Sequence, residues 1–131
     1  MEKKVSFAAK IVKTQTLLAD RYSYGKRKRR VVFSEVIYSH GGGYSTRTGI
    51  FRAPKSGIYL FIFDVQPFDS GYVLMHNEKV LARPTANKAV IGGNVGISYL
   101  TAGEQVWVQN DGKFEYFIKV FNGRFSGILI D

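Results

Sequence analysis

Residues Thr48–Val65 read TGIFRAPKSGIYLFIFDV, a turn-punctuated half carrying Pro54 and Gly57 followed by an unbroken apolar half. From Ile58 onward, the alternation of a strand sets Tyr59, Phe61, Phe63 and Val65 on one side and Ile58, Leu60 and Ile62 on the other. A strand that meets water on one face alternates apolar with polar residues. This one has no polar face. One side can be the core of a β-sandwich; the other needs a cover as well, and a second subunit is the obvious one.

The rest of the chain reads as strands and turns, with no segment of helical period. Val5–Ile11 turns Val5, Phe7, Ala9 and Ile11 to one side, a first strand. Tyr22–Arg30 is polar, basic and glycine-containing, hence a loop, and Val31–Tyr38 is strand-like. Ser39–Thr46 holds Gly41-Gly42-Gly43, a permissive turn that no strand interior tolerates. Gly71–His76 and Lys79–Arg83 flank Asn77-Glu78, which predicts a two-residue hairpin with a positive φ at Asn77. Val95–Leu100 and Gln105–Gln109 are further strands. Asp111-Gly112 and Asn122-Gly123 are turn dipeptides that divide Val106–Asn110, Phe114–Phe121 and Phe125–Ile130, and local reasoning alone makes those three a meander.

At 131 residues the chain is one domain, 1–131, large enough for a real core. Its 45% hydrophobic content, with ten Phe and eight Tyr, sets it apart from disordered chains. There is no cysteine, which excludes disulfides, thiolate chemistry and cysteine metal sites. No apolar run approaches the length of a membrane helix. Met1-Glu2-Lys3-Lys4 is charged with no apolar stretch behind it, so no signal peptide is read there. Formal charge is +9, from 19 basic and 10 acidic residues, and five of the basic residues are consecutive, Lys26-Arg27-Lys28-Arg29-Arg30.

A collinear set of spaced motifs runs along nearly the whole chain. It comprises Val5-x-Phe7-x-Ala9, Val31-x-Phe33, Tyr44, Thr48-Gly49-x-Phe51-x-x-Pro54-x-x-Gly57-x-Tyr59-x-Phe61, Leu74-x-x-Asn77, Gly103-x-x-Val106-Trp107-Val108 and Phe125-Ser126-Gly127-Ile128-Leu129. In these the chain resembles a complement C1q globular domain. Three residues depart from the pattern: Ser39 where Asn is usual, Glu78 where Gly is usual, and Glu104 where Asp is usual. The resemblance implies an all-β, ten-stranded jelly-roll β-sandwich of C1q/TNF-like type that assembles as a homotrimer and binds ligands outside cells. It also implies that the Trp107 and Phe125 strands lie in opposite sheets, with Phe114–Phe121 a crossover or extension between them. Tyr59, Phe61, Phe63, Val65, Trp107 and Phe125 are expected in the core or at the trimer contact, with the Tyr59–Val65 face near the threefold axis. No Gly-X-Y stalk is present in the sequence.

The sharpest functional candidate is the run Lys26, Arg27, Lys28, Arg29 and Arg30. Five like charges on a loop attract anions such as phosphates, sulfated sugars or lipopolysaccharide head groups, and a trimer would display them three times. The plainer reading is a solvated loop that keeps the protein soluble. His40 and His76, in different predicted loops and without cysteine, do not make a zinc site. Before Phe125, where a calcium site would need acids, stand Lys119 and Arg124. No nucleophile arrangement, P-loop or dinucleotide fingerprint is found, so no enzyme, cofactor or metal is expected. The expectation is a secreted, lectin-like recognition head of innate immunity that binds anionic or microbial-surface glycan ligands. A TNF-like trimer with a protein receptor is the alternative, and a nucleic-acid binder using the basic run, with Tyr22 and Tyr24 beside it, is the reading the residues support least.

Overall fold

The computed structural model describes residues 4–18, 29–66, 71–83, 94–112 and 117–131. Eleven strands lie among them: β1 Ser6–Lys10, β2 Gln15–Leu18, β3 Glu35–His40, β4 Phe51–Arg52, β5 Gly57–Gln66, β6 Tyr72–His76, β7 Lys79–Ala82, β8 Asn94–Leu100, β9 Gln105–Asn110, β10 Phe117–Val120 and β11 Asn122–Leu129. A five-stranded sheet in the order β3-β1-β11-β5-β8 faces a four-stranded sheet in the order β4-β9-β6-β7, and β10 pairs with β2 as a separate ribbon. All ladders are antiparallel. This is a jelly-roll sandwich, and it resolves the C-terminal ambiguity. β9 and β11 lie in different sheets, and β10 is a crossover strand.

The reason lies in what each strand buries. β9 turns Val106, Val108 and Asn110 inward and β11 turns Phe125 inward, so the two face each other across the core. β10 sends Val120 into the same core, beside Leu17 from β2. A meander would have put these side chains on one face of one sheet, with nothing opposite.

Val5, Phe7, Ala9 and Ile11 are all buried, as their alternation predicts. Asn77 has φ 55°, the left-handed conformation expected of the hairpin turn between β6 and β7. The strand expected over Val31–Tyr38 begins only at Glu35. Val31 and Phe33 are nonetheless buried, and their backbone is satisfied mainly by side chains instead of a ladder. Val31 N donates to Val108 O at 2.9 Å. The Gln15 amide bonds both backbone groups of Val32, at 2.8 and 2.9 Å. The Tyr44 hydroxyl donates to Phe33 O at 2.7 Å and accepts from Phe33 N at 3.0 Å.

One sequence expectation needs correction. Tyr59, Phe61, Phe63 and Val65 do not face a neighbouring subunit, because each is at most 6% exposed within the single chain. They pack with Phe125, Phe51 and Phe7 inside the sandwich. The side of β5 left for a partner is the other one, Ile58, Leu60 and Ile62. Register decides this. Phe61 pairs with Gly127, where an added Cβ would sit 2.6 Å from Phe7 and 2.8 Å from Phe61. The missing side chain on β11 is the space the aromatic rings occupy. Trp107 is outside the core as well, on the outer surface of the four-stranded sheet.

Phe61→Ala should therefore act on stability within each subunit. It removes a fully buried ring packed at 5.6 Å from Phe51 and 6.1 Å from Phe125. The expected loss is about 3–5 kcal/mol in unfolding free energy, read from the urea midpoint at fixed protein concentration. A loss within experimental error would contradict the core assignment.

Candidate functional site

The last two residues of the basic run, Arg29 and Arg30, lie at the edge of the four-stranded sheet. Lys26, Arg27 and Lys28 lie outside the described residues. Arg29 donates to Asn110 O at 3.0 Å and to Gly112 O at 2.7 Å, tying the chain to the end of β9. Arg30 forms an isolated bridge with Gln109, and its guanidinium stands 5.1 Å from the Trp107 ring centroid. Its Nη1 also approaches Thr48 O at 3.4 Å. These two arginines are thus joined to the sandwich, and Trp107 serves as a platform for Arg30.

Why the outer surface of this sheet is polar follows from alternation. On β9, Val106 and Val108 point inward, which leaves Gln105, Trp107 and Gln109 outward. On β4, Phe51 points inward and Arg52 outward, directly opposite Gln105. Trp107 Nε1 donates to Gln109 Oε1 at 2.8 Å, and Gln109 Nε2 donates to Asp111 Oδ1 at 2.7 Å. Beside this row stands a tight turn. The Ser45 hydroxyl accepts from Arg47 N at 3.2 Å and Thr48 N at 3.3 Å, and Ser45 O accepts from Gly49 N at 2.9 Å. Gly49 has φ 78°, and a Cβ there would lie 2.6 Å from Val31 O, so only glycine lets the turn sit against the chain at Val31.

Two adjoining grooves flank the turn. One, about 440 Å³, is lined by Arg30, Val32, Arg47, Thr48, Ile50 and Gln105. The other, about 530 Å³, shares Thr48, Ile50 and Gln105 and adds Arg52, Tyr44 and Pro54 among its walls. Arg47 and Arg52 stand alone in the sequence, outside the basic run, and only the fold brings them near Arg30. The strand alternation at Phe51-Arg52 is the one local sign that Arg52 points outward.

Glu104, Tyr44 and Tyr59 have structural partners. Glu104 accepts from Thr101 N at 2.7 Å and from Asn77 Nδ2 at 2.9 Å, with His76 Nε2 3.3 Å away. Asn77 Oδ1 in turn accepts from Gln105 N at 3.0 Å, so the β6–β7 hairpin is stitched to the 101–105 turn. The backbone bond from Thr101, followed by His76 and Asn77, holds the Glu104 carboxyl below the usual carboxylate range. Burial pushes the hydroxyl of Tyr44 upward, and likewise that of Tyr59, which donates to Lys55 O at 2.8 Å. Among the described residues no three of His, Asp and Glu gather as a metal site. No helix among them is long and apolar enough to cross a membrane.

The comparisons agree with this architecture. A profile of the C1q domain matches residues 15–130. The chain belongs to the C1q domain family. It is 31% identical over 87 residues to Protein HP-25 homolog 1 of Bos taurus, covering 61% of this chain and 40% of that protein. It is 29% identical over 94 residues to Complement C1q tumor necrosis factor-related protein 3 of Mus musculus, covering 66% of this chain and 38% of that protein. The chain thus spans about two fifths of the length of these relatives. Among solved structures, the globular domain of zebrafish complement 1qA superposes with a TM-score of 0.68 at 17% identity, covering 98% of both chains. The Eiger TNF of S. frugiperda gives 0.56 at 16% identity, covering 98% of this chain and 92% of that one. At these identities the likeness is one of fold.

Because its folded-state pKa is lowered, Glu104 stabilises the fold above its ordinary titration range, near pH 4.3 for a free glutamate. The contribution disappears as pH falls through the lower folded value. Glu104→Gln should have a lower urea midpoint than the parent at neutral pH, and the two should converge as pH falls through the lowered folded-state pKa. A gap that stays constant over that range would show that the charge contributes nothing.

Proposed function

We propose that the chain is the non-enzymatic recognition head of an extracellular homotrimer that binds anionic ligands, such as lipopolysaccharide and sulfated or phosphorylated polymers on microbial surfaces, in innate immunity. One observation carries the assembly. The outward face of the five-stranded sheet is apolar across three strands: Tyr99 stands opposite Ile58, Ile97 opposite Leu60 and Val95 opposite Ile62, with Ile128 on the far side of Leu60. Ile97 and Tyr99 are each 59% exposed and Ile62 is 46% exposed. A contiguous apolar surface of this kind marks a protein contact, and membership of a family that resembles TNF in fold supports a threefold one.

The anionic ligand is supported by the charge of +9 and by the clustering of arginines on the polar outer surface of the other sheet. Division of labour between the two outer faces lets one be buried in assembly while the other stays wet and cationic. A receptor-binding trimer of TNF type is the competing reading of the same fold.

Sedimentation equilibrium at micromolar concentration should give a mass of three chains. Ile97→Glu/Tyr99→Glu should give a folded monomer, since an unpaired charge in a buried contact costs several kcal/mol while the exposed position in a monomer costs little. A monomeric parent would sink the assembly. Binding to heparin and lipopolysaccharide should weaken steeply from low to physiological salt, because exposed charges are screened within about 10 Å at 0.1 M. The suitable variant is Lys26→Gln/Arg27→Gln/Lys28→Gln, which spares the anchoring contacts of Arg29 and Arg30. Heparin or lipopolysaccharide binding that does not change with salt would favour the receptor reading, and parent-like, salt-sensitive binding by the variant would move the anion site off Lys26–Lys28.

A further inference from the structure

Three features mark the two grooves beside the 45–50 turn. Among the described residues, their walls carry three arginines, Arg30, Arg47 and Arg52, and no Asp or Glu. Arg47 and Arg52 are exposed, and among the described residues no carboxylate lies within ion-pair distance of either. The frame that holds them is fixed. Arg30 is set by Trp107, Arg52 by the β4–β9 ladder, and Arg47 by the Ser45-centred turn.

Cations gathered around a concave surface without counter-charges raise the local concentration of anions. Guanidinium is the group that grips a sulfate or phosphate with two parallel hydrogen bonds. The ridge between the grooves adds neutral polar groups. Thr48 Oγ1 accepts from Ile50 N at 3.2 Å, which leaves its hydroxyl hydrogen to donate outward, and the Gln105 side chain lies on both grooves. Oxyanion donors spaced by hydroxyl and amide groups match a sugar that bears anionic substituents. With a combined span of two grooves, the surface suits more than one oxyanion on one framework.

From this we infer that the grooves flanking residues 45–50 form a subsite for a sulfated or phosphorylated saccharide, gripped by Arg47 and Arg52 with Arg30 as the fixed cationic wall. This rests on the reading of the ligand as anionic, and it places recognition on the folded sheet surface instead of on Lys26–Lys28. A preformed site needs less ordering on binding than one that is assembled only when the ligand arrives.

The test uses the full chain and two small probes, sucrose octasulfate and inositol hexakisphosphate, titrated calorimetrically at about 0.15 M salt, the physiological value. Arg47→Gln/Arg52→Gln and Lys26→Gln/Arg27→Gln remove the same number of charges from different places. The groove variant should lose roughly tenfold or more in affinity, as loss of hydrogen bonds to a charged group implies, while the loop variant stays within a few-fold of the parent. Arg47→Lys/Arg52→Lys, which keeps the charge and loses the fork, should fall between them. Unfolding midpoints and sedimentation of all three should match the parent. Preference for one probe distinguishes sulfate from phosphate as the natural substituent. Equal losses in the groove and loop variants, as net charge alone would produce, overturn the subsite while leaving an anionic ligand in place. Loss in the loop variant only does the same. No binding of either probe by the parent overturns both the subsite and the anionic reading.

Discussion

Phe7 sits where the two sheets are joined, and its ring determines how closely they approach. It stacks at 5.0 Å on Tyr44 and 4.9 Å on Phe51, and meets the edge of Phe125 at 5.0 Å. Phe51 continues to Tyr59 at 5.5 Å and Phe61 at 5.6 Å. One cluster thus links β1, β4, β5 and β11, and β1 and β5 between them take part in all four pairings of the five-stranded sheet. Aromatic rings in offset and edge contacts contribute beyond the area they bury. They also fill volume that aliphatic chains could not span, and β11 accommodates them by carrying Gly127 opposite Phe61.

That cluster decides which side chains the sheets turn outward. Once the aromatic row of β5 is committed to the interior, strand alternation leaves Ile58, Leu60 and Ile62 facing away from it. Neighbouring strands repeat the choice at Val95, Ile97 and Tyr99. On the opposite sheet the same rule, applied to β4 and β9, exposes Arg52, Gln105, Trp107 and Gln109. The sandwich therefore presents one oily and one cationic side.

Between the sheets and the loops, side chains take over from ladders. Gln15 and Tyr44 satisfy the backbone of Val32 and Phe33, and Arg29 caps carbonyls at the end of β9. Arg29 and Arg30 fall where the chain has rejoined the sheet edge, so their guanidinium groups are drawn into structural contacts that a count of charges cannot reveal. Glu104 shows the same economy. Its extra methylene, relative to the aspartate usual in the family pattern, carries a carboxylate that bonds both Thr101 and Asn77.

Much of the fold was legible in the chain because its evidence is local. Alternation marked β1, β5 and β8, the Asn77-Glu78 pair marked a hairpin with a left-handed residue, and the spaced aromatic and glycine motifs carried the sandwich and its sheet assignment. The strand Gln15–Leu18 was not legible, since its polar start and short length give no period, and its identity depends on pairing with β10. Nor could the chain say which side of β5 is the core. Both of its sides are apolar, and the choice belongs to Gly127, sixty-six residues after Phe61, which sits opposite that ring. The candidate site was the least legible part. Arg30, Arg47 and Arg52 have no common spacing in sequence and become neighbours only because β4 and the chain at Arg30 both lie along the same edge of β9. Sequence by itself determined most of the segments that would be strands, β2 excepted, and that an apolar face would need a cover. Tertiary structure alone decided which face that was and where the cations meet, because cross-strand register and sheet packing are set by contacts between residues far apart in the chain.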